Sequence, residues 1–391
     1  MRLRRRRCLV CYWHAAAFVV HGYPRLSPLE LHPVAVEMLA AFDDWIELDR
    51  AMEDLVGFDR ASIEEAVAVL RENSLLLQEG SDEATEDEKI FDQWGPWAPE
   101  ASLFHYATQD EHYVRVDLTF DSLESTANDA DEVVDDGIKH RVHTLFTTYP
   151  EADRLLLPRG STRLSEPFDQ VLHRRRTHRD FTDQPVSLET FSALLATVFG
   201  PVDFIDSGRS ALMRRTSASG GSRQEIDAYV GVLNVEGVPP GTYHYNCLEH
   251  SLELLGEGLT RDQVVELCGR QEWAGATAFI VVLCTTIDRM LSKYRTPRAY
   301  RICLLNAGHL GQTFALAATA LGLGPFQTAA FHDSTVAEFC GLDNIGRTPL
   351  YILAAGHPNE DPITPPLAGL DTFRRTSFYT NQRGSAKFDD L

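Results

Sequence analysis

The chain has 391 residues, 44% of them apolar and 24% charged, which is the balance of a soluble globular protein long enough for more than one domain. Its formal net charge of −21 excludes the broad basic face that a general nucleic-acid binder needs to neutralise phosphates, although a local anion pocket remains open to it. The seven cysteines are odd in number and scattered, so they make neither a secreted disulfide framework nor a paired metal set, and a reducing, cytoplasmic setting is expected.

In chain order, Arg2, Arg4, Arg5, Arg6 and Arg7 precede the apolar run Cys8–Val20. Tyr12, Trp13 and His14 interrupt that run, and it is too short to cross a bilayer, so it reads as strand rather than as a secretion signal or membrane span. The alternation of Leu3, Arg5 and Arg7 with Leu9 and Cys11 predicts strands entering a hairpin at His21–Pro24. Leu29–Phe42, Ile46–Val56 and Ser62–Leu70 carry helical spacing, and Leu75–Leu77 reads as a closing strand. Residues 1–88 are therefore expected to form a winged-helix-like domain. Glu47, Asp49, Glu53, Asp54, Glu64 and Glu65 make its second and third helices acidic, so a docked peptide or domain suits it better than DNA.

The Gly/Ser/acidic run Glu79–Glu88 predicts a linker or exposed loop. Residues 89–166 read as a connecting and substrate-docking region. It holds the aromatic, turn-rich Trp94–Pro99, then Phe104, His105 and Tyr106, the acidic Asp121–Gly137 and the extended Glu151–Glu166. Residues 167–360 change to a mixture of helices and strands. Ser187 caps a predicted helix Leu188–Phe199, Ala278–Thr285 is a nearly continuous apolar strand, and Ala299–Leu321 is a helix apolar on nearly every face. Tyr229–Asn234, Gly241–Tyr245 and Leu350–Ala355 are further strands, and residues 361–391 are read as a tail.

Within this half, Leu172–Phe181 sets Arg174, Arg175, Arg176 and Arg179 around Thr177. Such a cluster is either the solvated basic end of a helix or an anion pocket, because guanidinium forks and a hydroxyl bind phosphate and its neighbouring hydroxyls well. Spacing alone leaves both readings open. A second feature is the small-residue loop Arg215–Arg223, and a third is Gly322-Leu323-Gly324 after the apolar helix. Only Lys89, Lys139, Lys293 and Lys387 are lysines, so Lys293 stands out in a chain that otherwise uses arginine. His105, His244, His309 and His332 fall into no metal-binding HxxH or HExxH spacing, and no metal is expected.

Taken in order, five motifs resemble the nitroreductase family of flavin enzymes, and most closely its SagB-type, or azoline dehydrogenase, branch. Arg175-Arg176-Thr177-His178-Arg179 stands for an RRSxR-like opening, and Arg215 with Ser217-Ala218-Ser219-Gly220-Gly221 for a PSGGA-like loop with alanine in place of proline. Pro240-Gly241-Thr242-Tyr243-His244-Tyr245 matches a pGxYhY element, and Arg301 through Gly308, His309 and Gln312 match a helix pattern. The branch usually carries glutamate at the position of Asn306 and asparagine at that of Thr313. Lys293-Tyr294 before Arg298-Ala299-Tyr300-Arg301 matches the branch's Lys-Tyr pair.

The resemblance covers about residues 168–358. It implies an α+β fold with a central, mainly antiparallel sheet flanked by helices, binding FMN at a homodimer interface. Arg175, Arg176, Thr177 and Arg179 would hold phosphate and ribityl oxygens, Ser219, Gly220 and Gly221 would approach the ring, and Gln312, Leu323 and Gly324 would complete the site. It further implies oxidation of thiazoline or oxazoline rings in a modified precursor peptide to thiazole or oxazole, with a cyclodehydratase as possible partner. Flavin N5 would take hydride, and Lys293 with Tyr294 would handle the proton. Lys293 is expected to be partly desolvated and flanked by Arg295 and Arg298, both of which favour a neutral amine. Two other readings stay open: an NAD(P)H-dependent nitro- or quinone reductase of the same fold, and a non-catalytic peptide-recognition or scaffold subunit.

Overall fold

The computed structural model describes residues 1–24, 27–109, 144–160, 164–206, 211–294 and 296–359. The acidic run Asp121–Gly137, Lys139, Lys387, Arg295 and the tail 361–391 lie outside the described residues. The chain divides into two compact units, Met1–Glu124 with Thr296–Arg298, and Ser125–Arg295 with Ala299–Leu391.

The first unit holds two three-stranded sheets, β5-β1-β6 and β2-β3-β4. β1 (Arg2–Arg5) lies between β5 (Ile46–Glu47) and β6 (Leu76–Gln78); β3 (Ala17–Gly22) lies between β2 (Leu9–His14) and β4 (Leu29–Glu30). One hairpin turn falls at Ala15-Ala16, with Ala15 at a φ of 51°, and the chain turns back again after Gly22, by the expected His21–Pro24, to pair β4 with β3. The stretch expected as a helix over Leu29–Phe42 begins as β4 and becomes helix only at α1 (Ala35–Ala40), after Pro33. Ile46–Val56 likewise divides into β5 and the single turn α2 (Leu48–Ala51). α3 (Arg60–Glu72) is as expected: Asp59 caps it by accepting from the Ser62 amide at 3.0 Å, and Ile63, Val67 and Leu70 face inward.

The largest departure is Glu79–Glu88, which is no linker. Most of it belongs to α4 (Asp82–Trp94), capped by Ser81, whose hydroxyl accepts from the Ala84 amide at 3.1 Å. Asp82 and Glu83 sit in the first turn, where the helix dipole favours anions. Ala84, Asp87 and Ile90 form its buried stripe, and Asp87 is fully buried against Arg4 Nη2 at 3.0 Å. Its carboxylate also accepts from the Arg7 and Cys8 amides, each at 3.0 Å. An acidic helix can thus face inward because the arginine-rich first strand answers its charge. α5 (Ala98–Ala107) follows.

The second unit is built on a seven-stranded sheet of order β14-β15-β13-β10-β11-β12-β7, with every pairing antiparallel. Its strands are β7 (Arg154–Leu156), β10 (Ile226–Val232), β11 (Gly241–Asn246), β12 (Ser251–Glu257), β13 (Phe279–Thr286), β14 (Gly324–Thr328) and β15 (Arg347–Gly356). β13 is apolar from Phe279 to Cys284 because both faces are covered there. Phe279, Val281 and Leu283 join the core beneath α7 (Leu188–Phe199) and α10 (Arg298–Ala320). Ile280, Val282 and Cys284 join a second core with α8 (Arg261–Leu267) and α11 (Asp333–Phe339). A separate two-stranded ribbon pairs β8 (Asp203–Asp206) with β9 (Ala211–Arg214). α10 does not bury its whole surface: Leu310 and Phe314 are in the core, but Tyr300, Leu304 and Leu305 are 43%, 45% and 57% exposed. α6 (Phe168–Arg174) and α9 (Ile287–Leu291) are short and carry the groups considered next.

Candidate functional site

α10 organises two groups of residues. Near its N-terminal half it meets the glycine loop. Gly221 takes a φ of +62°, a conformation that favours glycine. A Cβ at Gly221 would lie 2.3 Å from the Tyr294 hydroxyl, and one at Gly220 would lie 2.3 Å from Cγ2 of Ile302. The two glycines therefore let the loop backbone close down on Tyr294 and on α10. Asn306 fixes the loop: its Oδ1 accepts from the Gly220 amide at 3.1 Å, and its Nδ2 donates to Glu225 Oε1 at 2.8 Å. Ser217 and Thr313 share a hydrogen bond of 2.6 Å, and His309 Nδ1 lies 3.2 Å from the Ala218 carbonyl. The Gly220 amide, expected to face a bound ring, is thus already used. Gln312 is exposed beside Thr313.

The second group lies about thirteen residues further along α10, or roughly 20 Å at 1.5 Å per residue. α6 ends at Arg174, which is not a free cation: Nη1 donates to Glu166 Oε1 at 2.5 Å and Nη2 to the Thr319 carbonyl at 3.3 Å. Arg175 caps the helix and Arg176 follows; both are half-buried, while Thr177 and Arg179 are exposed. The Arg179 guanidinium carbon stands 5.3 Å from the Trp273 ring centroid. The His178 amide donates to the Pro325 carbonyl at 2.9 Å, and a Cβ on Gly324 would strike the His178 ring at 2.8 Å. The arginine segment and the Leu323-Gly324-Pro325 segment are therefore neighbours, with Leu323 itself in the core and the backbone carrying the contact.

Lys293 and Tyr294 end the turn after α9, both amides bonded to the Met290 carbonyl, at 3.1 Å and 2.8 Å. Tyr294 is half-buried against the glycine loop. Lys293 is exposed, with Nζ 5.4 Å from the Tyr294 ring centroid, so the burial expected for it is not supplied by the described residues.

Sequence reasoning did not single out Arg289, which anchors this turn. It is 1% exposed and donates to the carbonyls of Thr144 (2.9 Å) and Gln224 (3.1 Å), to Asp227 Oδ1 (2.9 Å) and to the Thr147 hydroxyl (2.9 Å). α9 is thereby tied to the strand that leaves the glycine loop. Burial raises the Asp227 carboxyl, but the Arg289 guanidinium, His244 and the Thr147 hydroxyl outweigh it and hold the group below the usual carboxylate range. Arg215 is buried too, donating to the Phe199 (2.9 Å) and Ile226 (2.9 Å) carbonyls. Burial pushes the Glu225 carboxyl above its ordinary value.

Chemically, Arg175, Thr177 and Arg179 can hold an anionic group, while the space that side chains would take at Gly220 and Gly221 is filled by Ile302 and Tyr294. Tyr294 presents a hydroxyl against that loop. The donor set of Arg175, Thr177 and Arg179 fits the phosphate of a phosphorylated flavin. No group of three or more His, Cys, Asp or Glu placed to hold a metal occurs among the described residues.

The chain matches the Nitroreductase family over residues 172–357. It is 26% identical over 329 residues to the trifolitoxin operon protein TfxC of Rhizobium leguminosarum bv. trifolii, covering 79% of this chain and 86% of that one. It is 32% identical over 181 residues to the microcin B17-processing protein McbC of Escherichia coli, covering 45% of this chain and 64% of that one. A chain of the E. coli microcin synthetase McbBCD complex, solved with truncated pro-MccB17 bound, is similar at 23% identity and a TM-score of 0.42, over 64% of this chain and all of that one.

Proposed function

Because residues 172–357 are a nitroreductase-family domain, we propose that this chain is an FMN-dependent oxidoreductase that dehydrogenates azoline rings of a modified precursor peptide. The observation that carries the reading is the Tyr294 hydroxyl set against Gly221, at a loop whose geometry exists only with glycine there. The similarity to two proteins named for microcin B17 processing and for a trifolitoxin operon supports a peptide substrate.

When bound, FMN supplies the hydride acceptor. Arg175, Thr177 and Arg179, with Arg176 beside them, would hold its phosphate and ribityl oxygens, and Ser219, Gly220 and Gly221 would approach the ring. Gln312, Leu323 and Gly324 border the same helix and strand. Lys293 Nζ takes the proton from the ring carbon next to the one that gives up hydride, and the Tyr294 hydroxyl orients the ring or passes the proton on. Lys293 must be covered for this role, by substrate or by a second protomer, since it is exposed here. The open Tyr300, Leu304 and Leu305 on α10 support a homodimer that meets along that helix. The first unit, with its acidic helices, docks the peptide or a cyclodehydratase partner.

Anaerobic mixing tests the reading. An azoline-bearing peptide should bleach the bound flavin in the absence of NAD(P)H. Bleaching by NADPH with no response to the peptide would make the protein a nitro- or quinone reductase, and failure of the protein to take up FMN would make it a scaffold.

A further inference from the structure

Among the described residues the two sheets of the first unit end in four strand edges, and three of them are blunt. β4 and β5 are two residues long and β6 is three, too short to seat a further strand. β2 is different. It closes its sheet with six residues, Leu9–His14, paired to β3 in an unbroken register, and it carries no proline, lysine or bulge. The Tyr23 amide donates to the Cys8 carbonyl at 3.0 Å, so the ladder to β3 is made by Cys8, Val10, Tyr12 and His14. Backbone direction alternates along a strand, so the N–H and C=O of Cys11 and Trp13 point away from β3. The Leu9 amide, in the same outward set, turns back to the Arg7 carbonyl at 3.0 Å. No strand among the described residues pairs with that outer side.

The side chains there are open as well. Cys11 through His14 are all exposed, Trp13 at 64%. The Trp13 ring stands edge-on to Phe18 at 5.5 Å, which fixes it on one face of the strand. On the other face Val10 packs with Leu103 and Tyr106 of α5. Residues 1–24 hold five arginines and no aspartate or glutamate, and Arg7 is exposed immediately ahead of the strand.

We propose that the β2 edge is the peptide-docking surface of the first unit. An extended segment of the precursor peptide adds to it as a fourth strand, hydrogen-bonded to the main chain of Cys11 and Trp13, apolar beside the Trp13 ring and acidic beside Arg7. In calling the occupant a precursor peptide it rests on the dehydrogenase reading. Outward donors and acceptors that recur every second residue, roughly 6.6 Å apart, match extended backbone and neither a helix nor a small molecule. Main-chain bonds of this kind supply affinity with little demand on sequence, and side chains beside the strand supply the selectivity. Charge separates the peptide from a second copy of this chain: another β2 would bring arginine and histidine to the same edge and no carboxylate.

The test uses the full-length protein. A random decapeptide library displayed on phage is selected on it, and the tightest sequence is synthesised with a fluorophore for anisotropy titration. Cys11→Pro removes an outward N–H without touching the ladder to β3, a place where an edge strand tolerates proline. It should weaken the peptide at least tenfold, the worth of one good hydrogen bond, while Cys11→Ala binds as the wild type does. Trp13→Asp, with its backbone intact, should weaken it about tenfold as well. Hydrogen exchange over residues 9–14 should be fast in the free protein and slow with peptide bound. Joined ahead of an azoline-bearing segment, the selected sequence should lower KM about tenfold in the wild type and leave it unchanged in Cys11→Pro. Binding that survives in folded Cys11→Pro or Trp13→Asp overturns the docking surface. So does slow exchange of 9–14 in the free protein, which would mean that the edge is already covered by this chain or by a second copy. Binding that depends on Cys11 and Trp13, beside an azoline segment that is never oxidised, leaves the surface standing and overturns the dehydrogenase reading instead.

Discussion

Gly221→Ala separates the loop's geometry from its chemistry. The alanine would have to hold a φ of +62°, which costs an L-residue roughly 1–2 kcal/mol. Its methyl would also sit 2.3 Å from the Tyr294 hydroxyl and 3.0 Å from two ring carbons, so Tyr294 must swing away. The hydroxyl is the far end of a side chain and can move, so stability should lose little beyond the backbone strain. For a domain of this size that is a fall in Tm of roughly 2–8 °C. The dehydrogenation rate should fall much further, by about 100-fold, the lower end for loss of a positioned proton-transfer group. Tyr294→Phe removes the closest atom, so the double variant should be no slower than Tyr294→Phe alone, a non-additivity expected for groups in contact. Calorimetry and single-turnover kinetics on the two single variants and the double variant supply the numbers. Equal rates in Gly221→Ala and wild type, or strictly additive losses, would refute the placement of Tyr294 over the loop.

Lys293→Ala should abolish dehydrogenation while leaving Tm and flavin content unchanged, since the side chain is exposed; Lys293→Arg should not rescue it, because arginine does not give up its proton. Arg175→Ala should weaken FMN binding about 10- to 100-fold in equilibrium titration, the worth of a charge-assisted hydrogen bond. Arg289→Met should lower stability by about 3–5 kcal/mol in denaturant unfolding, because it strands the buried Asp227 carboxylate. Since Asp227 lies below its ordinary value, its contribution is present above the unfolded-state pKa and disappears as pH falls through the folded-state one. The acid limb of the wild-type stability curve should accordingly flatten in an Arg289→Met, Asp227→Asn double variant.

The second unit was readable where one residue type had one reason to be present. β13 is apolar because it is covered on both faces, and Ser187 caps α7 through the Thr190 amide. The glycines at 220, 221 and 324 each have a close neighbour that excludes a side chain. What stayed hidden depended on partners distant in sequence. The acidic run before Lys89 reads as solvated until Arg4, more than eighty residues away, is seen to meet Asp87. Arg289 looks like one more arginine, and only the fold brings Thr144, Gln224 and Asp227 around it. The paired Glu225 and Asn306 are likewise joined across 81 positions. The strands β8 and β9, of four residues each, and the seven-residue helices α8 and α11 are too short to show a period in the sequence. Lys293 is the reverse case: its rarity drew notice, whereas its exposure could not be read from spacing.

The central claim is the removal of two hydrogens from a ring in a peptide. FMN-loaded protein incubated with an azoline-bearing peptide and oxygen, then examined by mass spectrometry, should yield product lighter by about two mass units per ring, with Lys293→Ala inert. An unchanged peptide mass beside a flavin that turns over with NADPH would contradict the account.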